Sequence, residues 1–220
     1  VAPRSGFGPR LIYVVGGVGE GGSLSTTELY DPQAASWTQR AGMAGSRCGH
    51  GCVALYGKLY AVGGGVDTFQ PLDTAEVYDP QTDGWQPLAN MSTERNRLGL
   101  AAVGGKIYAI GGCDAGNSAL ESVEAYDPQL GAWALVASMS VKRDDFASVV
   151  LDGKIYAIGG YDHGYLDTVE VYDPQADSWQ RVASMPRVLH KHATAALGGK
   201  IYVAGGCNQG LNPQRSVYVY

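Results

Sequence analysis

The chain predicts an all-β fold in which one four-stranded antiparallel sheet is repeated about five times, and three observations predict it. A Gly-Gly pair closes an apolar run at Gly16-Gly17, Gly63-Gly64, Gly111-Gly112, Gly159-Gly160 and Gly205-Gly206, at spacings of 47, 48, 48 and 46 residues. Tyr-Asp-Pro recurs at Tyr30, Tyr78, Tyr126 and Tyr172; each is followed by a Trp (Trp37, Trp85, Trp133, Trp179) and, six residues later, a Met (Met43, Met91, Met139, Met185). No long stretch sustains a helical period. Repeats of about 45–50 residues that each read as four short strands are the pattern of a β-propeller blade. The repeats span approximately 1–42, 43–90, 91–138, 139–184 and 185–220, within one domain.

One repeat, Asp144 to Gln180, shows each strand in turn. DFASVVL is apolar and β-branched, and Asp152-Gly153 then supplies a two-residue hairpin turn. KIYAIGG is a second strand, apolar enough for burial on both faces. After the loop YDHGYLD, TVEVYDP forms a third strand, which Pro stops because it cannot donate to a ladder. WQRVAS is the short fourth strand.

Each repeated residue type has a packing reason. Gly has no Cβ to clash where neighbouring blades converge and tolerates positive φ as the chain leaves the second strand. The Trp and Tyr columns fill the wider outer wedge between blades. Lys58, Lys106, Lys154 and Lys200 follow hairpin glycines and read as solvated turn residues. Arg47, Arg95 and Arg143 recur in one column and read as structural.

Composition excludes several classes. Of 220 residues, 45% are hydrophobic and 17% charged, enough apolar mass to bury a core. No apolar run reaches the ~18 residues of a membrane span, and the start of the chain has no signal-peptide core. A net charge of −5 opposes binding to nucleic-acid phosphates. Cys48, Cys52, Cys113 and Cys207 show no CxxC spacing and no disulfide framework, so reduced thiols in a cytoplasmic protein are expected.

The Gly-Gly pair, the spaced Tyr and Trp, and the period together resemble kelch repeats across nearly the whole chain. G-K-I-Y-A-I-G-G and V-E-x-Y-D-P are most similar to the kelch domains of BTB–kelch substrate adaptors of cullin-type ubiquitin ligases. The resemblance implies a protein-binding module without cofactor, metal or catalytic residues. Oligomerisation and cullin binding would lie outside this chain. The alternatives are an actin-binding scaffold and, less favoured, a kelch-type copper oxidase or sialic-acid epimerase. The resemblance also implies six blades. Here the first repeat opens on VAPRSGFGPR, which is not a strand, and SVYVY ends the chain at a third strand, so an incomplete ring is expected.

Columns that vary between repeats are the candidate site, because packing does not dictate them. The position after Gly-Gly carries Val18, Gly65, Cys113, Tyr161 and Cys207. The sixth position after the pair carries Ser23, Gln70, Ser118, Leu166 and Asn212. The approach to the first strand carries Cys48-Gly49, Asn96-Arg97, Asp144-Asp145 and His190-Lys191. All three sets are expected on one face, at the propeller mouth, where loops on a rigid scaffold concentrate binding residues. By the resemblance, Arg97 would grip a partner's carboxylate, Asn96 would bond a peptide backbone and Tyr161 would offer a flat contact. Asp144 and Asp145 make the face mixed in sign and favour a basic or doubly charged ligand equally.

Other motifs carry less. His190-Lys191-His192 could set two imidazoles on one strand face at a metal-binding spacing, but solvated surface histidines are the favoured reading. Gly17 to Gly22 formally matches a dinucleotide fingerprint, but a strand follows where a helix N-terminus is required. Cys113 and Cys207 are expected near the channel, and Asn90 opens a glycosylation sequon that matters only in a secreted protein.

Overall fold

The computed structural model describes residues 11–66, 70–210 and 212–220. The stretch VAPRSGFGPR and its expected lack of a strand lie outside them. Among the described residues every regular element is a strand. The first sheet starts with β1 (Ile12–Val15), passes through a small hairpin of β2 (Val18–Gly19) and β3 (Gly22–Ser23), and continues with β4 (Thr27–Asp31) and β5 (Ser36–Arg40). Three four-stranded sheets follow. They are β6 (Gly51–Leu55), β7 (Lys58–Val62), β8 (Ala75–Asp79) and β9 (Gly84–Pro87); then β10 (Gly99–Val103), β11 (Lys106–Ile110), β12 (Val123–Asp127) and β13 (Ala132–Val136). The next is β14 (Ala147–Leu151), β15 (Lys154–Ile158), β16 (Val169–Asp173) and β17 (Ser178–Val182). The last comprises β18 (Ala193–Leu197), β19 (Lys200–Ala204) and β20 (Val217–Val219). Neighbouring strands pair antiparallel in sequence order within each sheet, giving five propeller blades, I to V.

Local chemistry fixes the hairpins. The turn between first and second strands needs positive φ at both central residues, and Asp152 (51°) and Gly153 (74°) supply it. At the third-to-fourth turn, Asp79, Asp127 and Asp173 each accept the backbone N–H two residues on. Those same aspartates pair with Lys58, Lys106 and Lys154 at 3.1, 3.5 and 3.0 Å. The three lysines are therefore ion-paired across the blade end rather than simply solvated.

Blades join at three radii. Innermost, β6, β10, β14 and β18 touch in succession; Ser148 Oγ donates to the Leu100 carbonyl and Thr194 Oγ1 to that of Ser148. At mid-radius the Gly-Gly pairs let backbones meet. A Cβ on Gly111 (φ 53°) would lie 2.6 Å from the Arg143 carbonyl of the next blade, and one on Gly112 (φ 89°) 2.6 Å from that of Asn96. Outermost, the indoles of Trp85, Trp133 and Trp179 donate to the carbonyls of Ala41, Ala89 and Ala137 in the preceding blade. Asp83 and Asp177 accept the N–H of the same Ala41 and Ala137, while holding the hydroxyls of Tyr78 and Tyr172. The aromatic columns thus fill the outer wedge and also staple it.

The recurring arginine is structural. Arg47, Arg95 and Arg143 are almost fully buried and pair with Glu76, Glu124 and Glu170 at 2.9, 3.0 and 2.8 Å. Each also donates to two backbone carbonyls of its own blade. The glutamates in turn accept the N–H of Ala44, Ser92 and Ser140. Blade V replaces the whole unit: Leu189 stands for the arginine, Tyr218 for the glutamate, and Pro186, which has no N–H, for the donor. Leu189 and Tyr218 pack in one apolar cluster with Met185.

Candidate functional site at the propeller mouth

The residues approaching each first strand pair directly with the residue after Gly-Gly. Asn96 exchanges two backbone hydrogen bonds with Cys113, Asp144 with Tyr161, and His190 with Cys207. The next residue in each case has left-handed backbone: Gly49 (φ 61°), Arg97 (54°), Asp145 (48°) and Lys191 (54°). These four link head to tail across the blades, Arg97 N–H to Gly49 O, Asp145 N–H to Arg97 O, and Lys191 N–H to Asp145 O. Non-glycine residues held at positive φ are strained, and such strain persists where surrounding structure enforces it. Here the inter-blade bonds enforce it and fix the side chains of 97, 145 and 191 along the inner rim.

The side chains form a charged cluster between blades III and IV. Arg97 Nη2 reaches Asp144 Oδ2 at 2.6 Å and Cys113 Sγ at 3.1 Å, and also donates to Asn117 Oδ1. Asp145 lies 4.0 Å from Arg97 and 3.7 Å from Lys191. Tyr161 and Tyr165 stand edge to face at 5.4 Å, and Tyr165 lies 4.9 Å from the His190 ring. Arg97, Asn117, Asp144, Asp145, Tyr161, Tyr165 and His190 line an open cavity of about 220 Å³. Further cavities adjoin it across Tyr161, one towards Gly116–Ala119 and one towards Val188 and Gln209. Together they form a groove over blades III to V.

Electrostatics follow from burial. Burial pushes Asp144 up to about 6 in spite of the Arg97 pair, with Asp145 adding repulsion. Arg97 is held above its usual range: burial works against its charge, but Asp144, Cys113 and Asp145 outweigh it. Burial lowers His190, and raises the Cys113 thiol despite the nearby guanidinium. All four cysteines are free thiols.

Several expected roles change. Arg97 is directed to Asp144 and Asn117 rather than offered as an empty fork for a partner's carboxylate. Asn96 is 3% exposed, its Oδ1 accepts the Arg97 N–H, and it is not among the residues lining these three cavities. The histidines are not solvated and do not share a strand face. They precede β18, separated by the left-handed Lys191, and His190 and His192 are 4% and 8% exposed. His192 occupies the column of His50, Leu98 and Phe146, packed on Gly159 and Gly206. Gln70 and Asn212 are exposed and line none of these cavities, whereas Ser118 lines the one towards blade III.

Tyr165 lies outside the candidate columns because the second-to-third loops differ in length, and Asn117 because it falls one position before the sixth-position column. Each loop closes where a residue N–H bonds the second glycine's carbonyl: Leu24, Leu72, Leu120, Leu166 and Gln214. Leu166 is therefore a structural bracket, brought into the sixth-position column by a shorter loop. Counting back from the bracket aligns Tyr165 with Ser23, Pro71, Ala119 and Pro213, and the lone aromatic then stands out.

The Kelch motif matches residues 4–44, 46–92, 94–140, 142–186 and 189–220. The chain belongs to the kelch-repeat family. Kelch propellers are generally protein-interaction modules. A solved structure described as "Structure of YjhT" superposes with a TM-score of 0.84 at 14% identity, covering 96% of this chain and 81% of that one. That likeness is one of fold. No curated protein sequence matches the chain significantly.

Proposed function

We propose that this kelch propeller binds an extended segment of a partner protein in the groove across blades III to V. The finer reading is that it is the substrate-recognition part of a cytoplasmic BTB–kelch adaptor for a cullin-type ubiquitin ligase. The support for the adaptor role is the sequence resemblance of the repeats, with the ligase contacts made by regions outside this chain. The observation that carries the binding role is the groove itself. Rigid inter-blade bonds hold its rim, while Tyr161 remains 39% exposed beside charged groups. Rigid amphipathic aromatics beside adaptable polar groups give contact area at low entropic cost.

Affinity capture from lysate, quantified for parent and variants, tests this reading. The double variant Tyr161→Ala/Tyr165→Ala is expected to lose the captured partner by about tenfold or more, as truncating central aromatic anchors does. Leu135→Ala, on the outer strand of blade III where Leu135 is 66% exposed, is expected to retain it. The opposite pattern would move the interaction to the blade sides and favour the cytoskeletal scaffold.

A further inference from the structure

The central cavity holds a buried carboxylate oxygen that no hydrogen-bond donor reaches, that of Asp144. Asp144 is 3% exposed; its Oδ2 takes Arg97, while Oδ1 is buried without a partner. Asp145 meets cations only at ion-pair distances, 3.7 Å to Lys191 and 4.0 Å to Arg97. His190, 4% exposed and lining the same cavity, leaves Nε2 buried without a partner. A buried acceptor that lacks a donor is destabilising, and a donating ligand removes that cost. Arg97 keeps a buried Nε without a hydrogen bond, but its charge is already matched by Asp144. An incoming carboxylate would therefore face two carboxylates, and the cations beside them, Arg97 and Lys191, are already paired with those carboxylates. An incoming cation would meet both carboxylates, with the rings of Tyr161 and Tyr165 lining the same cavity.

We propose that the cavity bounded by Asp144, Asp145, Tyr161, Tyr165 and His190 is an anchor pocket for one arginine or lysine side chain of the bound segment. This rests on the reading of the groove as a peptide-binding site. At about 220 Å³ the cavity suits a single long side chain, with the flanking residues of the segment lying in the adjoining cavities.

Selection of short random peptides displayed on phage against this chain, followed by affinity measurement on resynthesised winners, tests the inference. Winners are expected to share a fixed Arg or Lys, and replacing it by Gln should weaken binding about tenfold. Asp145→Gly should cause a similar loss with unchanged thermal melting, because Gly49 already occupies the equivalent left-handed position in blade II. Asp144→Asn provides an isosteric second test with the same expected loss. Winners that depend on Tyr161 yet carry acidic or uncharged anchors would overturn the inference and leave the groove reading intact. Cationic winners indifferent to both aspartate variants would overturn the placement. Absence of any winner sensitive to Tyr161 or Tyr165 would overturn both.

Discussion

Glu170→Ala is expected to cost roughly 3–5 kcal/mol of folding stability, the loss typical when one partner of a buried ion pair is removed. The Arg143 and Glu170 side chains are both 0% exposed and 2.8 Å apart. Removing the carboxylate leaves a buried guanidinium without its charge partner and the Ser140 N–H without its acceptor. Blade V shows how the cost can be avoided. Its Leu189, Tyr218 and Pro186 replace cation, anion and N–H donor together. The triple variant Ser140→Pro/Arg143→Leu/Glu170→Tyr is therefore expected to recover part of what Glu170→Ala loses, because it removes the unpaired charge and the orphaned N–H together and leaves only the Gly159 carbonyl without its Arg143 donor. Urea unfolding of parent, single and triple variants measures this. A triple variant no more stable than Glu170→Ala would show that the apolar set works only in blade V.

Lowering pH from 7.5 to 5.0 is expected to remove about 2 kcal/mol of stability for each of His50 and His192. Burial lowers both imidazoles from 6.5 to about 4. Their contribution is complete above pH 6.5 and is lost as pH falls towards 4, because the unfolded chain takes up protons that the folded chain refuses. Asp144 acts in the opposite sense. Its folded value of about 6 lies above the unfolded 3.8, so its contribution falls as pH rises between them. Leu98 and Phe146 fill the same column in blades III and IV. The double variant His50→Leu/His192→Phe should therefore fold, gain stability at pH 5.0, and show a flat or reversed slope over this window. Urea midpoints at the two pH values, compared between parent and variant, decide it; equal slopes would contradict the assignment.

The periodic columns made the propeller legible because the same packing problem recurs in every blade. Gly111 and Gly112 answer backbone approach, Trp133 the outer wedge, and Arg95 the buried carboxylate of Glu124, each at constant spacing. The site was legible in part for the opposite reason: Arg97, Asp144 and Tyr161 vary where their neighbours repeat. What the sequence concealed depended on geometry between blades. Arg97 looked available because its partner, Asp144, lies 47 positions away on the next blade. Tyr165 was hidden by a loop-length difference, and the burial of His192 by a column whose other members are Leu98 and Phe146 as well as His50.

The most direct test of the groove as the binding site is photocrosslinking in lysate from a benzophenone amino acid placed at position 161 or at position 135. The account predicts that a partner protein crosslinks from 161 and not from 135. Crosslinking of a partner from 135 alone would contradict it and place the interaction on the outer face of blade III.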